Sequence, residues 1–184
     1  MIPEVKKYSN EEVLKIMYYT FDTNVHKEVK ELCIAVGHDS RLSAGELKEE
    51  IINSILPLGV KVYDCGLAST PAMFMATVYD EINADGSIMI TASHLPFNRN
   101  GIKLFNADGG LEHEDITEVL QLASFLNPAP VNHNVPTFDL LSVYAEYLKD
   151  KIQSALAGVT KNDEKPLTGL HIVVDSGNGA SGFF

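Results

Sequence analysis

Residues 32–41, LCIAVGHDSR, join a short apolar run to a polar turn. The run, residues 32–36, has no polar member and predicts a buried strand, because a strand covered on both faces does not alternate apolar with polar side chains. The turn, residues 37–41, places an imidazole, a carboxylate and a guanidinium directly after that strand. The stretch therefore predicts a buried strand that ends in a polar turn.

Helix and strand signals alternate over the first 125 residues. The spacing Ser-x-x-Glu, a capping box that marks a helix start, begins at Ser9 and again at Ser43. Thr70 followed by Pro71 predicts another start, with threonine as the cap and proline at the first helical position. The predicted helices begin at Ser9, run from Ser43 to about Leu56 and from Thr70 through Val78, and cover 114–125; the predicted strands cover 32–36, 60–63, 87–90 and 102–105.

This order of elements predicts an α/β fold, a three-layer α/β/α arrangement around a mixed sheet. Strands 87–90 and 102–105 are expected to pair across the loop between them. In sheets of this kind, ligands lie beyond the carboxyl ends of the strands. Residues 39–41 and the loop that carries Ser93 both follow such ends, so we expect them at the same edge of the sheet.

The last third of the chain predicts the opening of a second unit. Two prolines within residues 127–132 indicate a linker, and a helical pattern follows from about Thr137 to Leu156. A strand is predicted over 171–174, before a glycine-rich end. We therefore expect a first domain over residues 1–130 and a truncated second α/β domain over 131–184. The expected packing positions of the helix are Leu140, Leu141, Tyr144, Leu148 and Ile152.

Charge and composition exclude several classes of function. The chain has 25 acidic against 14 basic residues, which argues against a nucleic-acid or anionic-membrane partner, since phosphate backbones bind to basic faces. Cys33 and Cys65 lie in or beside apolar stretches and predict buried, reduced thiols; no Cys/His spacing matches a zinc site. Without a leader pattern or a membrane-length apolar run, the expected location is cytoplasmic.

Residues 91–103, TASHLPFNRNGIK, form the most informative loop for function. They bring together the hydroxyl of Ser93, the imidazole of His94 and the ammonium of Lys103. No Asp or Glu occurs between Asp85 and Asp108, which leaves room for a local positive potential that suits an anionic ligand. A basic surface turn between two strands is the alternative.

These groups suit phosphoryl transfer. A serine hydroxyl becomes a nucleophile when a neighbour takes its proton, and the transfer depends on positioning and on cations around the phosphate oxygens. Lys103, or protonated His94, has a proton to give to a departing oxygen. Gly101 lets the chain turn back, so that strand pairing returns Lys103 towards Ser93.

Each of these residues also has an ordinary structural interpretation. Lys103 suits a solvated strand position, and His94 suits a loop histidine bonded to the backbone. Arg41 suits a turn arginine paired with Asp39, and Arg99 suits an exposed position without function.

Four motifs resemble the α-D-phosphohexomutase superfamily, which comprises phosphoglucomutases and phosphomannomutases. They are GHDSRLS at 37–43, GLASTP at 66–71, TASH at 91–94 with NGIK at 100–103, and VVD at 173–175 leading into NGA at 178–180. The Ser-His loop with its Asn-Gly-x-Lys tail is the specific one. The resemblance covers nearly the whole chain, and implies domain I of a four-domain enzyme that moves phosphate between the 1- and 6-positions of a hexose.

The resemblance also implies roles for individual residues. Ser93 would be the phosphoserine, and the reaction would pass through a bisphosphorylated sugar. His94 and Lys103 would assist proton transfer, while Arg41 and Asn100 would contact substrate or phosphate. A Mg²⁺ ion would touch the phosphate on Ser93. The expected partners are a hexose phosphate and a hexose bisphosphate; which hexose, and which oligomeric state, stay open.

The sequence departs from the family pattern in two ways. Leu95 stands where the family usually has asparagine, which we expect to alter loop packing more than phosphoryl transfer. Residues 1–8 lack the family's first strand with its arginine-bearing loop, and the aspartate-rich metal loop and the sugar-binding loops are also missing. We therefore expect negligible mutase turnover from this chain alone.

Three alternatives stay open. Gly177, Gly179 and Gly182 spell GxGxxG after a predicted strand, which is a weak indication of a dinucleotide-binding domain. A catalytically inactive folded fragment or binding module is the second. A Ser93-His94 hydrolase is the third and most distant, because no Gly-x-Ser-x-Gly turn surrounds the serine.

Overall fold

The computed structural model describes residues 31–123 and 134–177, together with Ser9, Glu11, Glu12, Leu14, Lys15 and Met17. In chain order, the elements are β1 (Cys33–His38), α1 (Ala44–Ile55), a 3₁₀ turn (Leu56–Leu58), β2 (Lys61–Leu67), α2 (Thr70–Met75), β3 (Gly86–Ile90), β4 (Ile102–Asn106), β5 (Gly109–Gly110), α3 (His113–Ala123) and α4 (Leu140–Leu156).

The five strands form one mixed sheet in the order β2-β1-β3-β4-β5. β1 lies between β2 and β3 and is parallel to both, whereas β3–β4 and β4–β5 are antiparallel. Residues 33–37 are buried, which confirms the predicted buried strand. The pairing of β3 with β4 sets Met89 opposite Lys103 and Ile90 opposite Ile102, and confirms the predicted hairpin.

Helices cover both faces of the sheet, so the predicted three-layer α/β/α fold is confirmed. Alternate residues of β1 point to opposite faces. On one face, Ile34 and Val36 pack with Ile52 of α1 and, at its margin, Ile116 of α3. On the other face, Cys33 and Ala35 pack with residues of α2 and with Leu140 of α4.

The capping predictions hold in part. Ser9 and Glu12 form the reciprocal capping box: the Ser9 N–H donates to Glu12 Oε2 at 2.8 Å, and the Glu12 N–H to Ser9 Oγ at 3.3 Å. Ser43 precedes α1 but makes no capping bond. Its hydroxyl accepts a hydrogen bond from the Asn100 side chain instead. The cap of α2 is Ser69, one residue before the predicted Thr70, and its hydroxyl accepts from the Ala72 N–H.

The strand predicted over 171–174 is wrong. Residues 171–176 adopt no regular secondary structure, and the side chains of Ile172, Val173 and Val174 are exposed. A strand needs a hydrogen-bonded neighbour, and none of the described residues pairs with this segment. The predicted linker 127–132 and the glycines beyond 177 lie outside the described residues.

Helix α4 packs against the sheet only through its first half. Leu140 is fully buried, and Leu141 and Tyr144 pack beside it as predicted. Leu148 and Ile152 are more exposed and do not join this packing; they line an open apolar groove with residues 164–168. A domain boundary near residue 130 stays a prediction, because residues 124–133 lie outside the described part.

The chain that leads into α4 runs along the outer side of β2. The Asp64 N–H donates to the Pro136 carbonyl at 3.0 Å, and the Phe138 N–H donates to the Asp64 carbonyl at 2.9 Å. The Asp64 carboxylate also pairs with Lys48 of α1, and both side chains are largely buried. Over the described residues, no helix combines the length and apolar character needed to cross a membrane.

Candidate active site

The polar turn after β1 and the Ser93 loop meet at one edge of the sheet, as predicted. β1 and β3 are parallel neighbours, so their carboxyl ends point the same way. The Asp39 N–H donates to the Ile90 carbonyl at 3.0 Å, and this bond joins the two loops where they leave the sheet.

The Ser93 loop consists of two successive turns. The Leu95 N–H donates to the Ala92 carbonyl at 3.0 Å, and the Arg99 N–H donates to the Pro96 carbonyl at 2.9 Å. Ser93 occupies the second position of the first turn with a φ of 53°, in the left-handed region. That conformation costs a non-glycine residue roughly 1–2 kcal/mol. The side chain of Ser93 is exposed to solvent.

Gly101 closes the base of the loop. Its carbonyl accepts from the Thr91 N–H at 2.9 Å, which extends the β3–β4 pairing by one step. A Cβ atom at Gly101 would lie 2.9 Å from the Thr91 carbonyl oxygen, and backbone cannot easily give way. Glycine is therefore required where the loop returns to the sheet.

Arg41 lies under the loop and is nearly buried, with 7% of its side chain exposed. Its Nε donates to Asp39 Oδ2 at 2.8 Å, which is the pairing that the ordinary structural interpretation of Arg41 expects. Its Nη atoms donate to four backbone carbonyls of the loop. These contacts were not expected from the sequence, and the contact of Arg41 with phosphate stays a prediction.

Asp39 and Thr91 complete the support beneath Ser93. The Thr91 hydroxyl donates to Asp39 Oδ2 at 2.7 Å and accepts from the Ser93 N–H at 2.9 Å. Thr91 was missed as a functional residue. A signal was present, because a threonine two residues before a loop serine has the spacing of a local side-chain turn.

Asn100 lies at the far end of the loop. Its Nδ2 donates to the Ser43 hydroxyl, and so joins the loop to the start of α1. Its Oδ1 is buried and has no hydrogen-bond partner among the described residues. A contact with substrate stays a prediction for this residue.

His94 and Lys103 are both exposed at this edge of the sheet. His94 follows Ser93 directly within the first turn. Lys103 lies on β4, two residues after Gly101 and opposite Met89, so it points to the sheet face that carries Cys33 and Ala35. The structure thus gathers Ser93, His94, Arg41 and Asn100 on one loop cluster, with Lys103 at the start of the adjoining strand.

Neither a cluster of metal ligands nor a reactive thiol is found among the described residues. No group of three or more His, Cys, Asp or Glu side chains in that part of the chain is placed to hold a metal ion. Cys33 and Cys65 are buried and form no disulfide, as predicted. Burial raises the pKa of the Cys65 thiol to about 12, with the nearby Asp64 charge adding to the shift. Such a thiol stays protonated and unreactive at neutral pH.

Comparison with known proteins identifies the family. Residues 3–124 match the family described as phosphoglucomutase/phosphomannomutase, alpha/beta/alpha domain I. A phosphoglucomutase/phosphomannomutase of Thermococcus kodakarensis is 36% identical over 96% of this chain and 39% of its own length. The chain belongs to the phosphoglucomutase/phosphomannomutase family, within the phosphohexomutase superfamily.

Two other relatives agree. A phosphomannomutase/phosphoglucomutase of Pseudomonas aeruginosa is 32% identical over 83% of this chain and 30% of its own length. A phosphoglucosamine mutase of Ruminiclostridium cellulolyticum is 32% identical over 80% of this chain and 32% of its own. The crystal structure of a family protein from Burkholderia thailandensis aligns with a TM-score of 0.48 at 18% identity, over 81% of this chain and 33% of that one. The chain thus spans between 30% and 39% of the length of the three named mutases.

Proposed function

We propose that Ser93 carries a phosphoryl group and exchanges it with a hexose phosphate, as the phosphorylated residue of a 1-phosphate to 6-phosphate interconversion. In the loading step, Ser93 Oγ bonds to a phosphorus atom of a hexose bisphosphate, and the bond from that phosphorus to the sugar oxygen breaks. The hydroxyl proton passes to a base, and the sugar oxygen gains a proton. In the opposite direction, phosphorylated Ser93 transfers its phosphoryl group to the free hydroxyl of a hexose monophosphate, which regenerates the serine and forms the bisphosphate. Loading of Ser93 from the other position of that bisphosphate then completes the interconversion.

The observation that carries this proposal is the placement of Ser93. Its side chain is exposed, while two hydrogen bonds hold its backbone: its carbonyl accepts from Arg41, and its N–H donates to the Thr91 hydroxyl. Phosphoryl transfer depends mainly on positioning and on nearby positive charge. The loop presents an exposed hydroxyl on a backbone that is held in place, and its own sequence has no carboxylate between Asp85 and Asp108. Membership in a family of hexose phosphate mutases gives the substrate class.

The remaining roles are part of the same proposal. His94, next to Ser93, takes the hydroxyl proton, and Lys103 supplies a proton to the departing sugar oxygen. Asn100 contributes an amide for substrate. Arg41 contributes positive charge close to the phosphate.

The family implies Mg²⁺, which would stabilise the negative phosphate oxygens. A phosphate on Ser93 would itself supply oxygen ligands of the kind that Mg²⁺ prefers. The described residues add no carboxylate cluster at this loop.

The proposal is tested by incubating the purified chain with glucose 1,6-bisphosphate and measuring its intact mass. We expect an increase of one phosphate, mapped to Ser93 by peptide analysis and lost in Ser93→Ala. Ser40→Ala is the matched control, because Ser40 is an exposed serine in the neighbouring turn; it should be labelled like the wild type. Labelling that persists in Ser93→Ala would refute the proposal.

Two further measurements separate this function from the alternatives. We expect negligible conversion of glucose 1-phosphate to glucose 6-phosphate by the chain alone, because it spans about a third of the three mutases named above. Measurable conversion that Ser93→Ala abolishes would show that expectation to be wrong. Thermal stabilisation by NAD, with none by the sugar bisphosphate, would favour a dinucleotide-binding domain instead.

A further inference from the structure

Arg41 makes an unusual set of contacts for a residue in a surface turn. Its Nη2 donates to the Ser93 carbonyl at 2.6 Å, and its Nη1 lies within 3.0 Å of the carbonyls of Leu95, Pro96 and Arg99. These acceptors are 52 to 58 residues away along the chain and belong to both turns of the loop. One guanidinium therefore serves as the centre around which the loop folds.

Only arginine suits this position. The guanidinium is planar and permanently charged, and presents five N–H donors in a fixed fork. Lysine would keep the charge but has three donors on a single atom. The Nε bond to Asp39 orients the fork from behind, so that both Nη atoms face the loop.

The same network holds Ser93 from its other side. The Ser93 N–H donates to the Thr91 hydroxyl, and Thr91 in turn donates to the Asp39 oxygen that accepts from Arg41. Ser93 is thus fixed at its N–H and at its C=O by two arms of one network. A non-glycine residue stays in the left-handed region only where its surroundings impose it.

We propose that Arg41 is a positioning residue, which acts through the loop backbone to hold Ser93 in its left-handed conformation and so set the direction of its hydroxyl. This inference rests on the proposed phosphorylation of Ser93 and adds the residue that controls its geometry. All three of its side-chain nitrogens already donate within the chain, so Arg41 acts through the loop backbone and not by a direct contact with the phosphate.

The first test compares Arg41→Lys with Arg99→Lys. Arg99 is the matched control, because it lies in the same loop with its side chain exposed, and contributes only its carbonyl to the network. The rate of phosphate uptake on Ser93 is measured over a range of glucose 1,6-bisphosphate concentrations. For Arg41→Lys we expect the limiting rate to fall at least about tenfold, with little change in the half-saturating concentration, since misplacement of a reacting group slows the chemical step.

Two outcomes of this test would overturn the inference. One is a wild-type limiting rate in Arg41→Lys. The other is an unchanged limiting rate with a raised half-saturating concentration, which is the result expected of a direct phosphate contact. Arg99→Lys should match the wild type in both quantities.

A second pair of variants tests the same inference if Arg41→Lys fails to fold. Thr91→Val removes the hydroxyl at nearly constant volume, and Thr91→Ser restores it. We expect slow phosphate uptake in the valine variant and recovery in the serine variant. Equal rates in the two variants would contradict the role of the network, because a purely packing role would favour valine.

Hydrogen exchange separates failure of this inference from failure of the proposed function. If the wild type takes up no phosphate, the proposed function is wrong, and the positioning role is decided by the amides of Ser93, Leu95 and Arg99. We expect these to exchange at least about tenfold faster in Arg41→Lys than in the wild type, since each bonds within the loop that Arg41 holds. Unchanged exchange would overturn the inference.

Discussion

Two apolar segments of similar composition differ in burial and in backbone pairing. In β1, Ile34 and Val36 are fully buried, with strands on both sides and a helical layer on each face. Near the other end of the chain, Ile172 is 60% exposed and Val173 is 85% exposed, and no described residue pairs with their backbone. β-Branched residues thus make a segment suited to a sheet, but neighbouring strands and covering layers make it a strand.

Hydrogen exchange gives the largest expected difference between the two segments. Amides of β1 should open only with the sheet, while those of residues 171–176 should exchange at rates close to those of an unfolded chain. We expect a ratio of at least about 10³, which corresponds to roughly 4 kcal/mol. Amide exchange followed by mass spectrometry or NMR measures it. Comparable rates would remove the distinction drawn here.

Truncation of one isoleucine in each segment sharpens the comparison. Ile34→Ala should lower the free energy of unfolding by about 2–5 kcal/mol, because it leaves a cavity between the sheet and α1. Ile172→Ala is the matched change and should alter that free energy by less than about 0.5 kcal/mol. Denaturant unfolding measures both. A loss above about 1 kcal/mol in Ile172→Ala would mean that this side chain is packed in solution.

At Gly37 of β1, the sheet packs closely against the neighbouring helical layer. A Cβ atom at Gly37 would lie 2.5 Å from Met73 Sδ and 3.1 Å from Ala68 Cβ. Gly37→Ala should therefore destabilise the fold by about 1–3 kcal/mol. Gly45→Ala is the control, since a Cβ there meets nothing within 4 Å, and alanine should stabilise α1 by about 0.5–1 kcal/mol. Thermal unfolding of both variants checks the sign as well as the size.

Burial of the Cys65 thiol in β2 predicts a smaller effect, a dependence of the free energy of unfolding on pH. The pKa of Cys65 is raised from 9.0 to about 12 in the folded state, chiefly by burial. Between these values the unfolded chain loses the thiol proton and the folded chain keeps it, so stability falls as pH rises. At pH 10 this amounts to about 1 kcal/mol. The fall between pH 8 and pH 10 should be smaller by that amount in Cys65→Ala, and equal falls would contradict the assignment.

The sequence was sufficient where local signals agreed with the tertiary structure. The apolar run at 32–36, the Ser9 capping box and the hairpin around Gly101 each carry their cause within a few residues. The strand prediction at 171–174 failed for a complementary reason. Its local pattern is good, and the missing condition, a paired neighbour, is a property of distant parts of the chain.

The candidate site divides in the same way. Ser93, His94 and Lys103 are visible in one short stretch, because the groups that a reaction needs are recognisable by type. The support beneath them is not, because Arg41 meets loop carbonyls more than fifty residues away. Backbone acceptors cannot be recognised from residue types, so the contacts of Arg41 became visible only in the three-dimensional structure.

The chain leading into α4 has a consequence for self-association. By lying along β2, residues 136–138 occupy backbone groups of Asp64 that an intermolecular strand would otherwise use. Pro136 has no N–H group that an incoming strand could bind. The Lys48–Asp64 ion pair also places charge beside β2, at the same border of the sheet. At Asp64 the border of the sheet is thereby covered by the protein's own chain, which disfavours pairing of a second copy with β2 at that point.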